Sequence, residues 1–314
     1  MKQFISTNDI SNVNEWVEKA LSIKKNPFEF SHLGKNKTLG LVFLNPSLRT
    51  RLSSQKAAQN LGMNVMVMNL NQDGWALELE DGAVMNGNTQ EHIKEAAGVL
   101  SQYCDIIGLR TFASLTDKEK DYQETVLKKF IQSASVPVIS LESAAGHPLQ
   151  AFADCITIAE HKKIKTPKVV LSWTPHVRAL PQAVANSFVE WVSQTDAELV
   201  VTNPKGFDLD AGILKNTPII HDQKEAFENA DFVYAKNWSS FENYGKIGTE
   251  YQDWMIDSKK MQLTNGAKFM HCLPVRRNVV VSDEVLDSAN SLVLAQAQNR
   301  IYSAQTVLYH ILNN

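Results

Sequence analysis

Apolar residues fall into two alternating rhythms along this chain. Short, nearly unbroken apolar runs occupy 39–44, 64–70, 105–109, 136–141, 168–173, 199–203, 232–236 and 268–271. Each is bounded by polar residues or turn formers, and such runs read as buried strands. Between them the spacing changes to every third or fourth residue. Ile10, Val13, Trp16, Val17, Ala20 and Leu21 share one face after Thr7-Asn8-Asp9, which reads as a helix start. Further helices are predicted over 51–61, 90–104, 118–133, 148–162, 181–193, 223–229 and 295–312. The stretch 71–89 holds three glycines and no period, and reads as a long polar loop.

Alternation of this kind argues for a parallel sheet with helices on both faces. It runs twice, so the expected fold is α/β, with two doubly wound parallel-sheet domains over 1–150 and 151–295. They join near the 148–162 helix, and the charged stretch 160–167 reads as a connection. Open sheets of this class bind ligands beyond the carboxyl ends of their strands. Strand ends are therefore the place to look for chemistry.

The densest such end is Phe43-Leu44-Asn45-Pro46-Ser47-Leu48-Arg49-Thr50-Arg51. Asn45-Pro46 ends the strand, because proline has no N–H and turns its predecessor away from helix. Ser47 then reads as the N-cap of the next helix. A helix start offers free N–H groups and the positive end of a dipole. With donors from Ser47, Arg49 and Thr50 added, the segment suits a phosphate-sized anion. A capped helix with two solvated arginines is the plainer alternative. Other strand ends carry Arg110; Glu142 and then His147-Pro148-Leu149-Gln150; Trp173-Thr174-Pro175-His176; Lys236-Asn237-Trp238; and His271-Cys272-Leu273-Pro274-Val275-Arg276. Singly, each has a structural explanation: a solvated arginine, a helix-capping histidine before proline, a buried cysteine. Together they are harder to dismiss.

Composition narrows the classes. A net charge of −3 with 21% charged residues gives no basic face for nucleic acid, although local patches remain open. Hydrophobic content of 44% supports real cores, and no apolar run approaches membrane-span length. Cys104, Cys155 and Cys272 are too few and too scattered for a disulfide framework or a zinc site, and suit reduced thiols in a cytoplasmic protein.

Ser47-Leu48-Arg49-Thr50-Arg51, His147-Pro148-Leu149-Gln150 and His271-Cys272-Leu273-Pro274 stand in the order of the three signatures of the aspartate and ornithine carbamoyltransferases. Arg110 lies between the first two, and Gln298-Asn299-Arg300 resembles the family's final carbamoyl-phosphate arginine. The Cys in the third signature is similar to the ornithine branch. Two features depart from ordinary ornithine carbamoyltransferases: Trp173-Thr174-Pro175-His176, and Ala235-Lys236-Asn237-Trp238-Ser239 in place of the Ser-Met-Gly loop. Both resemble the N-acylornithine carbamoyltransferases.

The resemblance implies a fold in which the C-terminal helix, 296–314, returns to the first domain, and a knotted loop in the second. It implies carbamoyl transfer from carbamoyl phosphate to the δ-amine of an N-acyl-L-ornithine in arginine biosynthesis, without cofactor or metal. Ser47, Leu48, Arg49, Thr50, Trp75, Arg110, His147, Gln150, Cys272, Leu273 and Arg300 would bind carbamoyl phosphate. Arg110, His147, Cys272 and Arg300 would be catalytic, while Gln90, Glu142, His176, Lys236 and Arg276 would face the N-acylornithine. In the resembled family the Gln72-Asp73-Gly74-Trp75 loop reaches a neighbouring subunit's site, which implies a homotrimer. Acetyl-preferring members carry Glu at the position matching Gln90, and succinyl-preferring members carry Pro. Gln90 has no charge to repel a succinyl carboxylate and an amide that can donate to one, and Val280 stands where acetyl-type members have a modified lysine. Both features favour the succinyl substrate, with acetyl the alternative. An ordinary ornithine carbamoyltransferase and a catalytically silent binding homologue are the remaining alternatives. A nucleotide-binding oxidoreductase fails on the absent G-x-G-x-x-G.

Overall fold

The structure is a computed structural model that describes residues 1–70 and 74–313. Two five-stranded sheets, parallel throughout, divide the chain. In the first sheet, β1 (Gln3–Phe4), β2 (Thr38–Phe43), β3 (Asn64–Asn69), β6 (Ile106–Arg110) and β7 (Val138–Glu142) lie in the order β1-β7-β6-β2-β3. In the second, β8 (Lys168–Trp173), β9 (Glu198–Thr202), β10 (Ile219–Ile220), β11 (Phe232–Lys236) and β12 (Lys268–Met270) lie in the order β10-β9-β8-β11-β12. Between β3 and β6 a separate parallel pair forms, β4 (Leu77–Glu78) with β5 (Glu91–His92). The order reverses at β2/β6 in one sheet and at β8/β11 in the other, and a crevice opens at such a reversal.

The strands that are apolar on both faces came out nearly as the sequence implies. β8 and β11 match residue for residue, since both faces are covered and each run is buried along all but one lysine-bearing end. Others shift by one to three residues. The 118–133 segment is two helices, Lys118–Tyr122 and Thr125–Ser133, broken where Glu124 takes φ 54°. Thr7–Asp9 is one 3-10 turn held by a Ser6–Asp9 capping box, and the helix proper starts at Val13 on the Asn12 cap. Ser47 is not the N-cap expected of it. The helix Arg49–Asn60 starts from Leu48, with no side-chain cap, so its first-turn N–H groups are left open at the β2 end.

The helix Val293–Leu312 crosses back from the second sheet and packs against Val13–Lys25, Arg49–Asn60 and Pro148–His161 of the first half. Pro148–His161 in turn packs on Ala183–Val192 of the second half. Four rings close this junction: Phe4 stacks on Trp16 at 5.8 Å and Phe152 on Trp191 at 5.1 Å, with Phe4–Trp191 and Trp16–Phe152 both at 6.0 Å. All four are buried. The two sheets thus share a core behind the strand ends that bear the polar clusters. No described helix is long and apolar enough to cross a membrane.

Candidate active site

Arg110 ends β6, and its neighbours fix it on three sides. Nε and Nη2 donate to Glu142 Oε2 at 3.0 and 2.7 Å, while Nη1 donates to the carbonyls of Asn45 and Pro46 at 2.9 Å each. Both side chains are about nine-tenths buried, so the charge pair is held where water competes little. Glu142 thus spends its carboxylate on orienting Arg110.

His147 enters from the other side of the same strand end. Pro148 occupies the first helical position, and the His147 N–H donates to Ser187 Oγ at 2.8 Å. Its ring makes no capping bond. Nε2 lies 3.7 Å from Glu142 Oε2, beyond hydrogen-bond range, and buried Nδ1 has no partner. Burial, with Arg300, Arg110, Lys236 and Arg49 nearby, holds the imidazole well below its ordinary pKa. It is neutral at pH 7, with one N–H to donate.

Thr50 and Gln150 meet on Arg300. Nη2 donates to Thr50 Oγ1 at 2.5 Å and Nη1 to Gln150 Oε1 at 2.8 Å. The arginine sits one turn below Gln296 on the returning helix. Arg49 stands nearby: burial lowers its pKa, and Cys272, Glu142 and Arg110 act on it electrostatically. Its Nε is buried without a partner. Guanidiniums at 49, 110 and 300 therefore crowd about one open helix start, an arrangement that strongly favours a dianion.

The second sheet supplies the facing wall. Trp173 Nε1 donates to the Trp238 carbonyl at 2.8 Å and Asn237 Nδ2 to the Thr174 carbonyl at 2.6 Å, tying the ends of β8 and β11 together. Lys236, at the end of β11, exerts its charge on His147, His176 and His271 alike, so its ammonium faces the gap between the sheets. Arg276 Nε donates to His176 Nε2 at 3.3 Å, and His176 Nδ1 lies 3.0 Å from the Arg178 carbonyl oxygen and 3.1 Å from the Arg178 nitrogen. Burial lowers the His176 pKa and holds that of buried His271 well below its ordinary value. After β12 the chain turns through Cys272, which is partly exposed, and Leu273 at φ 55°.

Ser47, Arg49, Thr50, Arg110, Glu142, His147, Gln150, His176, Lys236, Cys272, Leu273, Arg276 and Arg300 are thus gathered along one crevice. Trp75 and Gln90 are not gathered there. Trp75 is half exposed on the outer strip, its indole N–H on Glu91 at 2.9 Å, and exposed Gln90 donates its backbone N–H to Ala76 at 3.2 Å. Leu48 brings only its backbone to the helix start, its side chain being 66% exposed. Asn71, Gln72 and Asp73 of the same strip lie outside the described residues. Sequence reasoning passed over Asp154 and Gln296, two buried polar residues behind the site. Their signal was spacing: Gln150/Asp154 and Gln296/Arg300 each stand four apart on a helix, which stacks them on one face. Among the described residues no group of three or more His, Cys, Asp or Glu is arranged to hold a metal ion.

Comparison with known proteins agrees with this geometry. Residues 2–160 match the model of the aspartate/ornithine carbamoyltransferase carbamoyl-P binding domain, and 181–311 that of the Asp/Orn binding domain. The N-succinylornithine carbamoyltransferase of Bacteroides thetaiotaomicron is 50% identical over 314 residues, covering 99% of both chains. The N-acetylornithine carbamoyltransferase of Xanthomonas axonopodis pv. citri is 35% identical over 331 residues, covering 98% of this chain and 96% of that one. A solved N-acetyl-L-ornithine transcarbamylase complexed with acetylcitrulline superposes with a TM-score of 0.93 at 34% identity, over 99% of each chain. With family models spanning both halves and a relative sharing half its residues, the chain belongs to the aspartate/ornithine carbamoyltransferase family.

Proposed function

We propose that this carbamoyltransferase moves the carbamoyl group of carbamoyl phosphate to the δ-amine of N-succinyl-L-ornithine, giving N-succinylcitrulline and phosphate, as a step of arginine biosynthesis. The observation that carries the reading is the convergence of Arg49, Thr50, Arg110, His147 and Arg300 on one open helix start. Phosphate binds the first-turn N–H groups with Ser47, Leu48, Arg49 and Thr50. Arg110, His147 and Arg300 direct donors at the carbonyl oxygen and at the bridge to the leaving phosphate, where negative charge grows as the C–O bond breaks. Gln150, Cys272 and the Leu273 carbonyl fix the carbamoyl NH2. Glu142 keeps Arg110 in register and presents its backbone to the amino-acid substrate, while His176, Lys236 and Arg276 form the cationic side that receives carboxylates.

The amine must attack as the neutral base, and its solution pKa is about 10.4. Burial and the nearby cations hold His147 well below its ordinary pKa, which favours its neutral form as a donor. The chemical step therefore accelerates with pH as the bound amine loses its proton, and a flat profile from pH 6 to 9 with chemistry rate-limiting removes amine attack.

Three observations favour succinyl. The 50% identical relative is named for N-succinylornithine and the 35% identical one for N-acetylornithine. Solved variants of the acetyl-type relative in which one glutamate is changed to Ala, Pro, Val or Ser hold N-succinyl-L-norvaline. Gln90 likewise stands without a charge on the strip that resembles the acyl-facing loop. Trp75, held outward by Glu91, reaches the carbamoyl phosphate of an adjoining copy in a homotrimer. Carbamoylation assays with ornithine, N-acetylornithine and N-succinylornithine side by side test the reading. Turnover preferring N-succinylornithine is expected, acetyl preference reassigns the acyl group, and binding of carbamoyl phosphate without turnover of any amine marks a silent homologue.

A further inference from the structure

Asp154 lies behind the arginines, fully buried on the Pro148–His161 helix, and the proposed chemistry leaves it without a task. Its Oδ1 accepts from two amides at once: Gln150 Nε2 at 2.8 Å and Gln296 Nε2 at 2.9 Å. Each glutamine then faces a donor with its carbonyl. Gln150 Oε1 receives Arg300 Nη1 at 2.8 Å, and Gln296 Oε1 receives the His271 N–H at 2.8 Å. His271 Nδ1 in turn accepts the Leu273 N–H at 2.9 Å. A guanidinium and a backbone N–H can only donate, so neither glutamine can rotate its amide without setting donor against donor. One carboxylate oxygen is the terminus of two chains of donation. One runs from Arg300 in the first half, the other from the turn after β12 in the second.

We propose that Asp154 is a positioning residue that sets both glutamine amides, and through them aims Arg300 and fixes the 271–273 turn. The part of Asp154 that does this is its acceptor oxygen, not its charge. Oδ2 has no partner in strict hydrogen-bond geometry, although the buried Tyr234 hydroxyl lies close enough to interact with both Asp154 and Cys272. A proton on Oδ2 would leave Oδ1 and both amides undisturbed. Arg300, Tyr234 and the neighbouring Cys155 thiol are the titratable groups that act on the carboxylate or feel it.

The inference rests on the carbamoyl-phosphate reading of the site, and calorimetric titration with carbamoyl phosphate alone separates the two. Wild-type protein that takes up no carbamoyl phosphate sinks that reading and the inference with it. Given wild-type binding, Asp154→Asn keeps an acceptor at the Oδ1 position and should bind within about tenfold of wild type, while folded Asp154→Ala and the near-isosteric Asp154→Leu should bind more than about tenfold more weakly. Cooperative thermal melting certifies the fold of each variant. Ala or Leu variants that melt normally yet bind within tenfold overturn the proposal. So does an Asn variant that loses more than tenfold, and that arm stands even if Ala and Leu do not fold. The readout is binding rather than stability, and the rescue by Asn is what a merely space-filling role would not produce.

Discussion

Arg300 holds Thr50 and Gln150 with two different nitrogens of one rigid fork. A lysine has a single charged point and cannot span both partners. Arg300→Lys should therefore lower kcat/KM nearly as far as Arg300→Met, by about 10²–10³ if each lost preorganised donor is worth about 2.7–4 kcal/mol; steady-state kinetics with carbamoyl phosphate varied checks it. Asp154 gives a prediction of its own. Burial pushes its pKa up to about 7, from about 3.9 in an unfolded chain. The folded state therefore holds an extra proton between those values, and the stability tied to that group falls as pH rises from about 4 to 7. Asn at 154 has no proton to lose. Asp154→Asn should gain on wild type as the pH goes from 5 to 8, by on the order of 2 °C in melting temperature. His147 and His271, held neutral by burial, act oppositely, losing stability as pH falls through about 6.5, but they cancel in this comparison. Residues directly after strands were legible from the chain because a strand end is a position that pattern reveals. Asp154 and Gln296 were not, because what marks them is who they meet across 142 residues of sequence.

At the scale of elements, pattern spoke clearly wherever both faces of a strand are buried and poorly where only a few residues pair. β1 is two residues long and exists because Gln3 and Phe4 find Val138 and Ile139 on the edge of β7. No periodicity is possible over two residues. The break at Glu124 is likewise a tertiary outcome. Its carboxylate accepts from Ser143 Oγ at 2.6 Å and from the Ala145 N–H at 2.9 Å, which holds a non-glycine residue at positive φ. Next to it, Asp121 gathers the N–H groups of Ser114 and Leu115 and the Tyr244 hydroxyl, the last at 2.7 Å from the second half. Asp121→Ala should free these three donors and the Ser114 hydroxyl, which also donates to it at 3.0 Å, and cost about 1–3 kcal/mol, whereas Tyr244→Phe, which removes one bond, should cost about 0.5–1.5 kcal/mol. Denaturant titration of the two variants ranks them. At the four-ring junction, Trp191→Ala should cost about 3–5 kcal/mol, because no neighbour can collapse into the space an indole leaves.

For the whole molecule the instructive residue is Trp75, which stays half exposed and tied to Glu91 while the crevice lies elsewhere. If it serves an adjoining copy, two separately impaired variants can repair one another. Trp75→Ala spoils what a subunit lends, and Arg110→Met spoils what it keeps. Refolding the two together should restore measurable turnover that neither shows alone, with sedimentation reporting a trimer, and a mixture as inactive as its parents would rule out shared sites. Two parallel-sheet domains, with chemistry at their strand ends, could be inferred from alternation alone, whereas the strand order and its reversals needed the structure. Alternation says nothing of whether copies assemble, since exposed Leu48, Leu52, Met66 and Val84 look like any surface apolar residues. The returning helix carries a consequence for how the protein is made. Arg300 and Gln296 follow both sheets in the chain, so a nascent polypeptide with every strand already emerged still lacks the guanidinium that meets Thr50 and Gln150 and the amide that braces the turn after β12. Under the proposed reading, capture of carbamoyl phosphate waits for Arg300 to join the fold, and a chain cut short before it should be catalytically inert however well its sheets have formed.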